Sequence, residues 1–155
     1  MLQSLDDAGE ELKRVDHMVY VSLKYTRTSD VLKNIIARMV DAYIHLLDTL
    51  LKMAKNEKRI IDIPSRPLEK ANLVRKLYED EIVIKNVELF LLLREILHSD
   101  FKSESEFRRH VAIIVFIRGK EEIINIDNIT EYYHMQRDFY KFIRKKVLKE
   151  EDHYY

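Results

Sequence analysis

VLKNIIARMVDAYIHLLDTLLKM, residues 31–53, decides how the rest of the chain must be arranged. Its apolar residues fall in two helical stripes. Leu32, Ile35, Met39, Ala42, Leu46 and Met53 form one, and Ile36, Val40, Tyr43, Leu47 and Leu50 form the other. One stripe needs one packing partner and two stripes need two, so this helix belongs at the centre of a helical assembly. TRTSD (26–30) precedes it with turn chemistry, and Thr28 or Ser29 can accept a hydrogen bond from an orphan amide of the first turn.

On the N-terminal side, residues 4–25 carry Leu5, Ala8, Leu12, Val15, Val19 and Ser22 at steps of three and four, a single stripe. The short connection makes the two helices an antiparallel hairpin over 4–55. A linker over 56–65 follows. Ser65 is expected to cap a short helix with Pro67 in its first turn, and Leu68, Ala71, Val74 and Tyr78 give that helix a face. Residues 81–98 are apolar almost all round, from Ile82 to Leu97, so neighbouring helices or a second subunit must cover them.

The stretch beyond reads two ways. Ser103 and Glu106 form a capping-box pattern ahead of FRRHVAIIVFIRG, which predicts a helix ending at Gly119. The β-branched run VAIIVFI and the segment EIINI, joined by RGKE, make a β-hairpin over 111–126 the competitor. The helix is the preferred reading. A last helix, capped by Asp127 or Asn128, carries Ile129, Tyr132, Gln136, Phe139, Ile143 and Val147 on one face, and EEDHYY (150–155) is expected to fray. The expected fold is therefore all-α: one domain over 1–155, an up-and-down bundle of five or six helices, with helices over 66–149 completing the hairpin.

Lysine and arginine total 27, as do aspartate and glutamate, so the formal net charge is zero. That argues against nucleic-acid binding through bulk charge and leaves room for a local patch. With no cysteine, thiolate catalysis and thiolate metal ligands are excluded. Two glycines and two prolines leave no glycine-rich phosphate loop. No apolar run reaches the roughly 18 residues of a membrane span, and the polar start MLQSLDDAGEELKR is unlike a secretion signal, so a cytoplasmic protein is expected. High charge, many isoleucines and no cysteine suit a thermophile.

Two groupings are candidates for function. Arg94 and His98, four positions apart at the end of the apolar helix, share a helical face. Arginine can hold a phosphate by two bonds and histidine can take a proton, so the pair could activate a 2′-hydroxyl and cleave RNA. The plainer reading, preferred here, is a helix end gathering cations against its last carbonyls. Tyr20, Lys24 and Arg27 come near Asn34 and Arg38 if the first two helices pair, making a mostly positive patch able to hold an anion such as a phosphate. Ordinary ion pairs, of Arg38 with Asp41 or Asp16, are the plainer account there. FRRHVAI and RKKVLK are short basic clusters with acidic flanks, and Tyr132, Tyr133 and Tyr140 line the last helix. His45 with Asp48, and His17 beside Asp16, do not make a metal motif, and no metal or cofactor is expected.

An antiparallel helix pair followed by an apolar helix ending in Arg94 and His98, before a small or acidic residue and an aromatic, resembles the HEPN domains. The resemblance implies an all-helical bundle that works as a dimer, and either a metal-independent ribonuclease or toxin–antitoxin component using Arg94 and His98, or a non-catalytic partner. Three functions thus stay open: a homo-oligomeric scaffold or interaction protein without chemistry of its own, which ranks first; an HEPN-like ribonuclease; and a nucleotide- or RNA-binding module using Tyr20, Lys24, Asn34 and Arg38. A homodimer is expected in each case.

Overall fold

The computed structural model describes residues 1–154, with side chains described for residues 1–150. The chain forms α1 (Leu2–His17), a π-helical turn (Met18–Ser22), α2 (Leu23–Tyr25), α3 (Ser29–Asn56), α4 (Pro67–Leu77), α5 (Glu81–His98), β1 (Phe101–Glu104), β2 (Ala112–Ile117), β3 (Lys120–Asn125) and α6 (Ile126–Tyr154). Of the tail expected to fray, α6 includes the backbone to Tyr154, while Tyr155 and the side chains from Glu151 onward lie outside the described residues. Among the described residues no helix is long and apolar enough to cross a membrane.

The two stripes of α3 are both buried throughout. α1, α4, α5, α6 and β2 all pack against this helix. Thr28 Oγ1 accepts from the Val31 amide at 3.2 Å, as the cap reading requires. α5 buries Val83, Val87, Leu89, Phe90, Leu93 and Ile96, while Ile84, Leu91 and Leu92 are half-buried, so most of its apolar circumference is covered within one chain. Three polar side chains of this interior bond across it. Tyr43 Oη donates to Asn86 Oδ1 at 2.6 Å, Tyr78 Oη to the Leu50 carbonyl at 2.9 Å, and Gln136 Nε2 to the Met39 carbonyl at 2.7 Å. The last of these explains why a glutamine stands in the apolar stripe of α6. Burial pushes the Tyr43 hydroxyl well above its ordinary value, so it stays a donor.

The helix expected to end at Gly119 is instead part of a three-stranded antiparallel sheet of order β1-β2-β3. Val111, Ile113, Val115 and Ile117 lie buried on the face toward the helices, and stiff β-branched side chains suit that pleated surface better than a helical turn. Arg118 and Gly119 both have positive φ (53° and 77°) and join Ile117 to Lys120 as a two-residue turn. That conformation follows the right-handed twist of the strands, and glycine adopts it without steric cost. The hairpin reading of 111–126 therefore describes the segment. The Ser103–Glu106 pattern caps a helix elsewhere: the Glu106 carboxylate accepts from the Ser29 amide at 3.1 Å and the Ser29 hydroxyl at 2.5 Å, at the N-terminus of α3.

Three boundaries differ from expectation. α4 starts at Pro67 with Arg66 as its N-cap residue, and no Ser65 cap is made. Leu68 is 45% exposed and off the buried face. α6 starts at Ile126, where Asn125 and Asn128 exchange side chain-to-amide bonds of 2.9 and 3.1 Å, a capping box that begins two residues before Asp127. Finally, Leu23 is buried where Ser22 was expected, because the π-helical turn widens the helix and delays the stripe by one residue.

Candidate functional site

A cleft of about 710 Å³ opens at one end of the bundle. Its first wall is the end of the N-terminal helix, where the π-helical turn and α2 bring Tyr20, Lys24 and Arg27 to the surface. π-turns inside helices recur at functional sites because they aim side chains that a regular ladder would not. A second wall is the end of β1 at Glu104 with the β1–β2 connection, which carries Ser105, Arg109 and His110. The floor is the outer sheet face at Ala112, Ile123 and Asn125, meeting the start of α6 at Asp127.

Two interactions hold the connection in place. Phe107 donates its amide to the Arg27 carbonyl at 2.5 Å, and Glu106 grips Ser29. Ser105 and Phe107 adopt positive φ (54° and 63°), a conformation costing about 1–3 kcal/mol that surrounding contacts must hold. The Ser29 hydroxyl and amide bonds hold the Glu106 carboxyl below the ordinary carboxylate range. A carboxylate over a helix N-terminus also meets favourable backbone partial charge.

Lys24, Arg27 and Arg109 share this space with Glu104 and Asp127, yet none of the three cations forms an ion pair with either carboxylate among the described residues. Arg27 Nε is buried without a hydrogen-bond acceptor among the described residues. A buried guanidinium N–H in this condition is uncommon in folded proteins. The volume matches ordinary small-molecule pockets of roughly 300–1,000 Å³.

Of the residues marked in the sequence, the fold brings Tyr20, Lys24 and Arg27 to one cleft and leaves Asn34 and Arg38 outside it. Arg38 lies beside a separate shallow depression with Arg14 and His17, and pairs with Glu11 at 3.5 Å rather than with Asp41 or Asp16. Asp16 instead accepts from the Tyr133 hydroxyl at 2.7 Å. Arg109 and His110, which complete the cleft, stand in the basic FRRH cluster noted above for its acidic flanks. Their approach to Lys24 depends on the sheet, which the preferred helix reading of that segment lacked.

Arg94 and His98 occupy the last turns of α5. His98 is exposed, with Nδ1 2.8 Å from the Arg94 carbonyl. A carbonyl only accepts, so this ring carries its proton on Nδ1 and turns Nε2 to solvent. Ser99 Oγ donates to the Glu95 carbonyl at 2.7 Å, and Glu95 Oε1 pairs with Arg118 at 2.8 Å. Neither Arg94 nor His98 lines any cavity described here. Among the described residues no three histidine or acidic side chains gather as a metal-binding group.

Comparison with protein-family models, with curated proteins and with solved structures finds no match to this chain.

Proposed function

We propose that this protein is a binding module without chemistry of its own, whose end cleft takes a phosphate-bearing ligand, a nucleotide or RNA. One observation carries the reading: Lys24 and Arg27 of the helix end converge with Arg109 of a strand connection some 80 positions away, and none is neutralised by an ion pair among the described residues. Charge-assisted bonds from such groups to phosphate oxygens are about twice as strong as neutral ones. The HEPN-like ribonuclease reading draws less support. His98 is tied to the Arg94 carbonyl at a helix end, where cations are favoured whatever the function.

The test is calorimetric titration with ATP and with inorganic tripolyphosphate. Both should bind the native chain. Lys24→Ala combined with Arg109→Ala, two exposed positions, should weaken both ligands by at least about tenfold, the loss expected for two charge-assisted contacts. Absence of heat for either ligand up to concentrations on the order of 1 mM would sink the reading.

Self-association is a second reading, and the outer sheet face, whose Ile123 also floors the cleft, favours it rather than α5. Phe116 is 68% exposed on the outer sheet face, on the same side as half-buried Ile114 and half-exposed Ile123. We propose that two copies pair through this face. Light scattering should then give about twice the chain mass, and Phe116→Ser should return it to that of a monomer; a native chain that is monomeric across a wide concentration range rejects pairing.

A further inference from the structure

A second basic space lies on the same helix seam as the end cleft. α1 and α6 run antiparallel. Tyr140 meets Gly9, Tyr133 bonds Asp16, His134 Nε2 lies 2.6 Å from Tyr20 Oη, and the cleft wall joins Leu23 to Ile126. At the Gly9 end, about 610 Å³ of open space is bounded by Lys13, Arg137, Lys141 and Arg144, with Asp16 as the single lining carboxylate among the described residues. That carboxylate is engaged by Tyr133, whose hydroxyl is pushed well above its ordinary value by burial, then by the bond to Asp16 and the charge it carries. Lys13 has only an exposed pair with Glu10 at 3.2 Å, which is worth little. Arg137 Nε, like Arg27 Nε in the cleft, is buried without an acceptor among the described residues.

Between the two basic spaces stands an aromatic waist. Tyr20 meets Tyr133 edge-on at 6.1 Å between ring centroids and stacks on His134 at 6.4 Å. Tyr20 keeps 47% of its surface open to solvent. Asp127 in the cleft and Arg144 in the groove are seventeen positions apart on α6, about 25 Å at 1.5 Å per residue. A mononucleotide cannot touch both ends. A strand with a phosphate at every step and a flat apolar ring between phosphates can.

From this we infer that the α1–α6 seam is a track for single-stranded nucleic acid, with phosphates in the two basic spaces and a base against the Tyr20 ring. The inference rests on the phosphate reading of the cleft and extends it to a second site. Base stacking on aromatic side chains tolerates any sequence and requires unpaired bases, and basic contacts to phosphates make affinity fall with salt. An inorganic polyphosphate would satisfy the cations and ignore the waist, so the two polyanions can be separated by experiment.

The experiment is fluorescence anisotropy with a labelled single-stranded RNA of roughly ten nucleotides, a length suited to such sites, with tripolyphosphate and long-chain polyphosphate as competitors. The strand should bind at least about tenfold more tightly than tripolyphosphate. Lys141→Ala with Arg144→Ala, both exposed on α6, should remove that advantage and flatten the salt dependence by about two contacts, while tripolyphosphate still binds the cleft. If tripolyphosphate binds and the groove variant leaves strand affinity unchanged, the track is wrong and the cleft reading stands. If the groove variant loses the strand while Lys24→Ala with Arg109→Ala does not, the cleft reading falls, and with it the continuous track. Long-chain polyphosphate competing as well as RNA would overturn the assignment to nucleic acid.

Discussion

Tyr43 and Arg27 are both large side chains with polar ends drawn into the bundle, and they are treated in opposite ways. Tyr43 lies between α3 and α5, fully buried, edge-on to Phe90 at 5.9 Å, with its hydroxyl matched by Asn86. Arg27 lines the cleft with a buried N–H that meets no acceptor among the described residues. The same division separates the whole interior from the α1–α6 seam. Interior polar groups find partners within the chain, with Gln136 Oε1 as an exception. Along the seam, cations face open space with few carboxylates to meet them. An unmatched buried donor costs roughly 1–3 kcal/mol, so a region that accumulates them is organised around something other than its own stability. Substitutions should therefore split cleanly: those in the interior should change melting, and those along the seam should change binding.

The largest effect should come from Phe90→Asp. Phe90 is fully buried, and an unpaired carboxylate there should cost more than about 4 kcal/mol, enough to abolish cooperative melting. If this variant melts within a degree or two of the native chain, the interior half of the comparison fails. Tyr43→Phe sharpens it, because only the hydroxyl is lost. Leaving Asn86 Oδ1 unmatched should cost about 1–3 kcal/mol in urea denaturation, with tripolyphosphate affinity unchanged.

Glu106 sits on the border between the two regions, since it ties the loop bearing Arg109 and His110 to α3. Its carboxyl titrates below the ordinary value of 4.5, held by the Ser29 hydroxyl and amide. The folded form thus binds this proton less readily than the unfolded chain. The contribution is complete above the ordinary value and is lost as pH falls through the lower folded one. Melting of the native chain followed downward from pH 6 should show this loss, and Glu106→Gln should show less of it while weakening phosphate binding at neutral pH. A Glu106→Gln profile that overlays the native one removes Glu106 from the border. The smallest effect belongs to Arg94→Ala with His98→Ala, about 0.3–1 kcal/mol from the helix end, with no change in binding. Chelator-resistant RNA cleavage by the native chain that vanishes in this variant would instead support the ribonuclease reading.

Much of the helical framework was legible because burial repeats. The two stripes of α3 and the face of α6 were readable since their periods persist over many turns. The sheet was misjudged because the Ser103–Glu106 pattern is local evidence, while its actual partner, Ser29, lies over seventy positions away. The cleft was half legible. Tyr20, Lys24 and Arg27 share one helix end and could be grouped by spacing, whereas Arg109 reaches them only through the sheet. Asn34 and Arg38 were grouped with them by assuming that hairpin neighbours share a surface, but they sit on another side of α3. The groove at Arg137 and Arg144 needs the antiparallel docking of the first and last helices, which no local pattern encodes.

The π-helical turn at Met18–Ser22 gives the chain a dependence on its own length. In a chain shorter by one residue across this turn, the ladder would close as an ordinary helix. Everything before it would turn by about 100° and shift by about 1.5 Å relative to the cleft. Gly9 would then no longer meet Tyr140, nor Asp16 meet Tyr133, although every one of those residues would still be present. The groove and the cleft would fall out of phase with no side chain altered. In this molecule a single inserted residue works as a vernier, setting one end of a long surface against the other.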